Sequence, residues 1–347
     1  MSEPLTLEML GWGEDFAGAL ARGERAEDCA RVTSVRRKGY EALSASGPVF
    51  LRRGESASEE DRPTVGDWVL ADLKRQRYVR VLPRRTVFKR IMPGRRLAMQ
   101  LIAANVDAAF VVTSCNQDFN PARLERFLAV AREAGAEPVV VLTKADLAED
   151  PQAYVDEAAE IAAGASVVAL NAKRWRDVSV LEAWAGPGRT IALIGTSGVG
   201  KTTLMNALTG EDAATAEVRA RDDRGRHTTR ARSMHRLMAG GWIIDTPGMR
   251  ELGLADVSGG LEETFPDVLE IAANCRFSDC RHMGEPGCAV EAAVEAGDLD
   301  PDRLVRFQIL AEEAEFNDKR LSRRRIRSGR NAGEGAPEVD DDWGGEG

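Results

Sequence analysis

The chain has 347 residues, of which 43% are hydrophobic and 30% charged, and its formal net charge at pH 7 is −9. This composition indicates a globular protein with at least one sizeable core and excludes a chain disordered throughout, while the length favours two or three domains. No apolar run approaches the roughly 18 residues of a membrane span, and no basic-then-apolar leader is present, so we expect a cytoplasmic protein.

Short alternating segments near the N-terminus predict a small β-barrel over residues 30–92, after an N-terminal extension (1–29). The predicted strands are residues 31–35, 47–52, 66–73 and 78–82, separated by turn-forming residues. The polar residues 54–62 predict an exposed loop within the barrel.

The charge is unevenly distributed along the chain. Residues 74–96 contain ten basic residues and no acidic one. A barrel with such a stretch predicts an RNA-binding face, although a solvated charged surface would have the same composition. A second basic run covers residues 319–330.

Strands alternate with helices over residues 98–256, which predicts an α/β domain with a parallel sheet. The predicted strands are residues 108–113, 139–143, 166–170, 191–194 and 242–244, all short and nearly continuously apolar. Asn120 and Pro121 predict the start of a helix between the first two strands.

Residues 195–202 have the sequence GTSGVGKT, which matches the phosphate-binding loop between a strand and a helix. Backbone N–H groups of such a loop surround the phosphates, Lys201 reaches the β- and γ-phosphates, and Thr202 binds Mg²⁺. The alternative is a chance glycine-rich turn. The predicted phosphate-site residues are Gly195, Thr196, Ser197, Gly198, Val199, Gly200, Lys201, Thr202 and Thr203.

Residues 245–248 (DTPG) follow the last predicted strand. Asp245 is predicted to be the second protein ligand of Mg²⁺, and the N–H group of Gly248 is predicted to sense the γ-phosphate. In isolation this sequence would more often be only a turn.

Residues 143–146 (TKAD) close the strand 139–143 and are similar to the guanine-recognition motif N-K-x-D. Asp146 can accept two hydrogen bonds from guanine, which adenine cannot offer. The stem of Lys144 would pack along the base. Ala172 and Lys173, after the next strand, are similar to a loop that supports the guanine carbonyl group, although a surface loop explains them equally well.

The predicted motifs share one location, because all of them follow the carboxyl ends of strands, where parallel sheets bind ligands. Their order is unusual, since the guanine motifs precede the phosphate loop along the chain. The chain therefore has the order of a circularly permuted GTPase, which binds GTP or GDP.

Four soft ligands lie within residues 275–288, in the spacing C-x₄-C-x-H-x₅-C. Three thiolates and an imidazole suit a closed, structural Zn²⁺ site, whereas unrelated buried thiols are the alternative. The predicted zinc ligands are Cys275, Cys280, His282 and Cys288.

The combination resembles the RsgA (YjeQ) family of ribosome-assembly GTPases. The resemblance rests on VGDWV (65–69), the permuted motifs, DTPGMRELG (245–253), ANCRFSDCRH (273–282) and EPGCAV (285–290), and it covers residues 30–327. It implies an N-terminal OB-fold, a permuted GTPase domain (98–256) and a C-terminal, mainly helical zinc domain (257–330). It also implies binding to the small ribosomal subunit and its rRNA, with GTP hydrolysis stimulated by that subunit.

The glutamine that many GTPases use to orient water is missing after Gly248. Residues 225–229 (GRHTT) resemble a family segment in the position of the first switch. Thr228 or Thr229 would complete the Mg²⁺ shell, and our hypothesis is that His227 orients the attacking water, although it could instead only touch RNA. The chain departs from the family pattern in having Thr143 for asparagine and Arg230 for a third threonine.

Two other functions are compatible with these motifs. A P-loop ATPase with a zinc module would require Asp146 to be structural, and a non-catalytic RNA-binding scaffold would bind nucleotide without turning it over. Nothing in the sequence demands a dimer, so we expect a monomer. The acidic, glycine-rich residues 331–347 predict a disordered tail.

Overall fold

A computed structural model of the chain describes residues 5–53, 61–91, 99–210, 233–245 and 258–333. For residues 91, 258, 259 and 320–333 it describes the backbone only. Most of the predicted loop 54–62 and the predicted tail beyond residue 333 lie outside the described residues.

Five strands near the N-terminus close into a barrel. They are β1 (Cys29–Arg36), β2 (Gly39–Ser44), β3 (Gly47–Arg52), β4 (Trp68–Asp72) and β5 (Arg77–Val81). Hydrogen bonds join them in the order β1-β2-β3-β5-β4, and β4 pairs with β1 to close the ring. Val32, Leu51 and Val69 are buried in its core. The predicted barrel is confirmed, and β2 is a fifth strand that the sequence pattern did not predict.

A two-stranded sheet follows the barrel. It consists of β6 (Val87–Ile91) and β7 (Met99–Ala104), which pair antiparallel with a register shift after Phe88. Strand β6 lies within the second half of the basic stretch 74–96, where the sequence pattern predicted no strand, and β7 begins after the stretch ends.

The next part of the chain forms a parallel sheet flanked by helices, so the predicted α/β fold is confirmed. Its strands are β8 (Ala108–Ser114), β9 (Glu137–Thr143), β10 (Ser166–Ala169), β11 (Thr190–Ile194), β12 (Ser233–Arg236) and β13 (Trp242–Asp245). They lie in the order β10-β9-β8-β11-β13-β12, with β12 antiparallel to β13 and the others parallel.

The described residues of this α/β domain include five helices. They are α2 (Pro121–Glu133), α3 (Pro151–Ile161), α4 (Trp175–Val178), α5 (Glu182–Ala185) and α6 (Lys201–Thr209), with 3-10 turns at Ala145–Leu147 and Ser179–Leu181. The Asn120 carboxamide accepts a hydrogen bond from Arg123 N and Pro121 occupies the first position of α2, as predicted.

The barrel and the parallel sheet are hydrogen-bonded to each other. Strand β12 pairs with β1 through Ser34 and Ser233, so the two sheets form one continuous sheet of 11 strands. Strand β13, which ends at Asp245, is therefore separated from barrel strand β1 by strand β12 alone.

Four helices form the described C-terminal part. They are α7 (Ser258–Thr264), α8 (Pro266–Ala272), α9 (Ala289–Ala296) and α10 (Pro301–Gly333). The residues of the predicted zinc site lie in the connection between α8 and α9. No helix in the described part of the chain is both long enough and apolar enough to cross a lipid bilayer.

A buried carboxylate joins this C-terminal part to the α/β domain. Glu125 on α2 is fully buried, and its two oxygens lie 2.9 Å from Arg303 Nη1 and 2.8 Å from Arg306 Nε on α10. Arg303 also forms two 2.8 Å hydrogen bonds with Asp267 on α8. The two guanidinium groups therefore offset the free-energy cost of burying the charged carboxylate of Glu125.

The N-terminal segment covers the junction between the barrel and the α/β domain. It contains the short helix α1 (Glu14–Gly18) and 3-10 turns at Glu8–Leu10 and Ala26–Asp28. Trp242 Nε1 on β13 donates to Met9 O at 2.8 Å, and the ring of Trp12 meets that of Trp68 edge-on at 4.8 Å. Aromatic packing and this hydrogen bond both help to fix the segment at the junction.

Arg31 of β1 ties three parts of the chain together. Its fully buried guanidinium donates to the carbonyl oxygens of Leu10, of Gly66 at 3.3 Å and of Asn105 at 3.0 Å. Burial lowers the pKa of Arg31 to about 10, which still leaves it charged at neutral pH. The cation therefore connects the N-terminal segment, the barrel and the linker to the α/β domain.

Replacing Glu125 by alanine leaves Arg303 and Arg306 without their shared carboxylate and opens a void between α2 and α10. We expect the free energy of unfolding to fall by about 3–5 kcal/mol, measured by denaturant unfolding. Glu313→Ala is the matched control, because it removes the half-exposed partner of Arg126 and should cost less than about 1 kcal/mol. Equal losses in the two variants would contradict the structural role of Glu125.

Candidate nucleotide and metal sites

The phosphate loop lies between β11 and α6, as predicted. Gly195, Gly198 and Gly200 have φ values of 141°, 88° and 96°, a region that favours glycine. A Cβ atom on Gly195 would lie 2.2 Å from Val112 O of β8. The loop is thus held so closely against the neighbouring strand that only glycine fits there.

The amine of Lys201 points back into this loop. The residue is 8% exposed, and its Nζ donates to Gly195 O at 2.8 Å and to Thr196 O. Thr202 and Thr203 follow in the first turn of α6 and are exposed. An ammonium group inside a turn of backbone N–H groups creates a site for an anion with several negative charges.

Thr143 connects the predicted guanine motif directly to the phosphate loop. Its hydroxyl lies 2.5 Å from Val199 O and 3.2 Å from Thr113 O, and either carbonyl oxygen can accept a hydrogen bond from it. A Cβ atom on Gly200 would lie 3.1 Å from the same hydroxyl oxygen. Two segments more than fifty residues apart in sequence are therefore in contact in the fold.

Lys144 adopts a left-handed backbone conformation with φ of 57°. Its Nζ lies 3.4 Å from Asp118 Oδ2, in the connection between β8 and α2. Asn116 shapes that connection, because its side-chain oxygen accepts hydrogen bonds from Ser114 Oγ and Asp118 N. Sequence analysis did not identify Asp118; its only signal was its place directly after a strand of the parallel sheet.

Asp146 lies on the 3-10 turn Ala145–Leu147 and is exposed, so its carboxylate is accessible to a ligand. The N–H group of Ala145 donates to Leu170 O at 3.4 Å, which places the turn beside the predicted loop 171–173. In that loop Asn171 Oδ1 accepts from Lys173 N at 2.9 Å, and Ala172 is buried.

The structure brings most of the predicted nucleotide residues to one edge of the sheet. The phosphate loop and residues 143–146 and 171–173 follow β11, β9 and β10, and Asp245 ends β13 next to β11. His227, Thr228, Thr229 and Gly248 lie outside the described residues.

The four predicted zinc ligands form a cluster. The ligand atoms of Cys275, Cys280, His282 and Cys288 all lie within 4.8 Å of one another. His282 Nδ1 is 3.3 Å from Cys288 Sγ and 3.6 Å from Cys275 Sγ. Ligands about 2.0–2.3 Å from a tetrahedral Zn²⁺ are separated by similar distances, so the donor set and its spacing fit this ion.

The electrostatics of the cluster also fit a cation. Desolvation acts to raise the pKa of the Cys275 thiol, but N–H groups of Ala289 and Val290 keep that pKa below its usual value. Desolvation and the neighbouring sulfur atoms raise the pKa of Cys280 to about 12. Burial lowers the pKa of His282, which keeps its imidazole neutral. A divalent cation would allow all three thiolates to ionise together.

Several arginines of the basic stretch 74–96 form ion pairs within the protein. Arg84 forms 2.8 and 2.9 Å hydrogen bonds with the buried Asp67, and Arg80 pairs with Glu24 of the N-terminal segment. Arg85 pairs with Asp15 and with Asp107. At least these three cations of the predicted RNA face therefore join parts of the protein to one another.

These features together define a circularly permuted GTPase. The parallel sheet carries a phosphate loop, and the guanine-type motif comes before that loop in the sequence. A barrel precedes the sheet, and a Cys₃His cluster follows it. The family model for the RsgA GTPase matches residues 81–255 of the chain. The chain belongs to this family, as the sequence motifs predicted. The ligand class of the family is guanine nucleotide.

Alignments with similar proteins extend over almost the whole chain. "Small ribosomal subunit biogenesis GTPase RsgA" of Mesorhizobium japonicum is 47% identical over 90% of this chain and 91% of its own length. "Small ribosomal subunit biogenesis GTPase RsgA 2" of Vibrio vulnificus is 44% identical over 94% of this chain and 93% of its own length. Two solved structures share the fold, and the circular permutation is stated for the second of them.

The first is YjeQ from Thermotoga maritima, with a TM-score of 0.61, 26% identity and coverage of 82% of this chain and 98% of that one. The second is YloQ, a circularly permuted GTPase, with a TM-score of 0.57, 25% identity and coverage of 86% and 98%. The permuted architecture of the nucleotide domain is therefore shared with solved proteins.

The purified protein should contain about one zinc ion per chain, since the cluster supplies four soft ligands. Cys288→Ser removes one thiolate and should lower the zinc content, as measured by elemental analysis, and lower the melting temperature. Cys115→Ser, at a buried cysteine remote in sequence from the cluster, should leave the zinc content unchanged. Full zinc content in Cys288→Ser would contradict this assignment.

Proposed function

We propose that this protein binds the small ribosomal subunit, assists its late maturation and hydrolyses GTP to GDP and phosphate. The proposal extends to this chain what the names of its relatives state for them, and the observation that carries it is their overall identity of 47% over 90% of this chain and 44% over 94% of it. The contact between Thr143 and the phosphate loop supports the same conclusion.

Each predicted residue has a role in this proposal. Asp146 selects guanine through two accepted hydrogen bonds, and Lys144 packs along the base while Asp118 orients its amine. Ala172 and Lys173 support the guanine carbonyl group. The phosphate loop with Lys201 binds the phosphates, and the bond broken is the β–γ phosphoanhydride.

Thr202 and Asp245 are proposed to hold Mg²⁺, which when bound would neutralise charge on the phosphates. Thr228 or Thr229 would complete its protein ligands, and Gly248 would sense the γ-phosphate through its N–H group. His227 is proposed to orient the attacking water. We propose that the Cys₃His cluster holds a structural Zn²⁺, since all four of its protein ligands are present.

The proposed organisation has an N-terminal extension (1–29), an OB-fold barrel (30–92), a permuted GTPase domain (98–256), a zinc domain (257–330) and an acidic tail (331–347). We propose that the protein acts as a monomer in the cytoplasm, with the RNA of the small subunit as its partner. The two basic stretches, residues 74–96, which begin in the barrel, and residues 319–330 of helix α10, would favour such a partner.

Multiple-turnover phosphate release tests this function. We expect purified small subunits to raise GTP turnover at least about tenfold, because ordering a group that positions the attacking water contributes on the order of 10²-fold or more. Large subunits should have a much smaller effect. Equal stimulation by both subunits, or none, would contradict the proposal, and competition by unlabelled ATP would indicate an ATPase instead.

The same assay tests His227. His227→Ala should lose the stimulation while binding GTP with unchanged affinity, whereas His235→Ala on β12 is the matched histidine control. Retention of full subunit-stimulated turnover by His227→Ala would remove this residue from the mechanism without affecting the proposed partner.

A further inference from the structure

A short cationic segment lies directly after the loop predicted to support guanine. Residues Lys173, Arg174, Trp175 and Arg176, which we call the KRWR segment, are all exposed. Trp175 is 40% exposed and begins helix α4. An indole at the surface between guanidinium groups leaves a large flat apolar area in contact with water.

Trp175 differs from the other tryptophans that the structure describes. Trp68 is fully buried, Trp242 is 6% exposed, and Trp12 and Trp184 are half-buried. Trp12 packs against Trp68, while Trp184 donates to Glu137 at 2.8 Å. These four side chains stabilise the fold, and the exposure of Trp175 leaves its indole available to another molecule.

The cations of the segment are also available. Within the described part of the chain, Lys173, Arg174 and Arg176 take part in no ion pair. Several arginines of the basic stretch 74–96 differ in this respect, since Arg80 and Arg84 are engaged with carboxylates of the protein. Positive charge that no internal carboxylate neutralises attracts an anionic partner.

The backbone holds the segment in a defined position. The Asn171 carboxamide accepts from Lys173 N, and Arg174 O accepts from Asp177 N at 3.0 Å and from Val178 N at 3.1 Å. Helix α4 contacts α6, which begins at Lys201 of the phosphate loop. The side chains therefore project from a scaffold joined to the nucleotide site.

We propose that Arg174, Trp175 and Arg176 form an RNA-binding element beside the guanine end of the nucleotide pocket. The two guanidinium groups bind phosphodiester oxygens, and an unpaired base stacks on the face of Trp175. The inference rests on the proposed function, because it names a part of the chain that contacts the RNA of the subunit. RNA supplies both the phosphates for the arginines and unpaired bases for the indole along one strand, whereas acidity alone in a peptide would satisfy only the arginines.

Titration of small subunits with fluorescently labelled protein at several salt concentrations tests the element. Arg174→Glu/Arg176→Glu should weaken binding at least about tenfold. In a plot of log affinity against log salt concentration, the magnitude of the slope should fall by about two, because the variant no longer binds two phosphates. Trp175→Ala should weaken binding between about fivefold and a hundredfold with the salt dependence unchanged. Trp175→Phe, which keeps an aromatic face, should restore most of the affinity.

Two controls separate this effect from misfolding and from general charge. All variants should bind GTP and hydrolyse it without ribosomes as the wild type does, because the changed side chains lie outside the residues proposed to bind nucleotide. Arg22→Glu/Arg123→Glu changes the net charge equally at two other exposed arginines and should weaken binding far less. Equal weakening by this control would overturn the proposal.

Photo-crosslinking identifies the partner. Ultraviolet irradiation of the wild-type complex should attach the peptide containing Trp175 to rRNA, and attachment to a ribosomal protein alone would overturn the proposal. Wild-type affinity in the Arg174→Glu/Arg176→Glu or Trp175→Ala variants would also overturn it, while leaving the proposed function intact if small subunits still stimulate the wild type. If wild-type protein neither binds nor responds to small subunits, the proposed function and this inference both fail.

Discussion

The nucleotide site depends on the contact between Thr143 and the phosphate loop. The Thr143 hydroxyl lies 2.5 Å from Val199 O, and the absence of a side chain on Gly200 allows this approach. The segment that selects the base and the segment that binds the phosphates are thereby held in one geometry, although they belong to different strands. A permuted order of motifs does not disturb this arrangement, because parallel strands expose their carboxyl ends at one edge whatever their order along the chain.

Both flanking parts of the chain are in direct contact with the GTPase domain. Strand β12 starts directly after residues 211–232, which contain the predicted first switch, and it pairs with both β13 and β1. The barrel is therefore hydrogen-bonded to a strand that lies between the two segments expected to sense the γ-phosphate. Towards the C-terminal part, Glu125 forms ion pairs with Arg303 and Arg306 of α10.

Local patterns in the sequence predicted the sheet, the phosphate loop and the Cys₃His cluster, because each depends on residues close together in the chain. Contacts between distant residues could not be predicted in this way. Glu125 has the pattern of an ordinary helix residue until Arg303 and Arg306 lie beside it, and Arg31 resembles any strand arginine until its three carbonyl partners are known. Strand β2, with the sequence GYEALS, was missed because its glycine, glutamate and alanine are residue types depleted in strands, although it pairs with both β1 and β3. The basic stretch was interpreted as an RNA face since net charge does not show which arginines are already paired.

The central claim is that Asp146 and the phosphate loop act on one nucleotide. The triphosphate preference of Asp146→Asn tests it most directly, because hydrolysis occurs at the phosphate loop while the substitution changes only the base contact. An asparagine amide can donate to the 2-oxo group of xanthine but loses an acceptor that guanine requires. We predict that the variant loses GTP turnover and gains turnover of xanthosine triphosphate, with or without small subunits. Unchanged preference for GTP would show that Asp146 does not contact the base and would contradict the shared pocket.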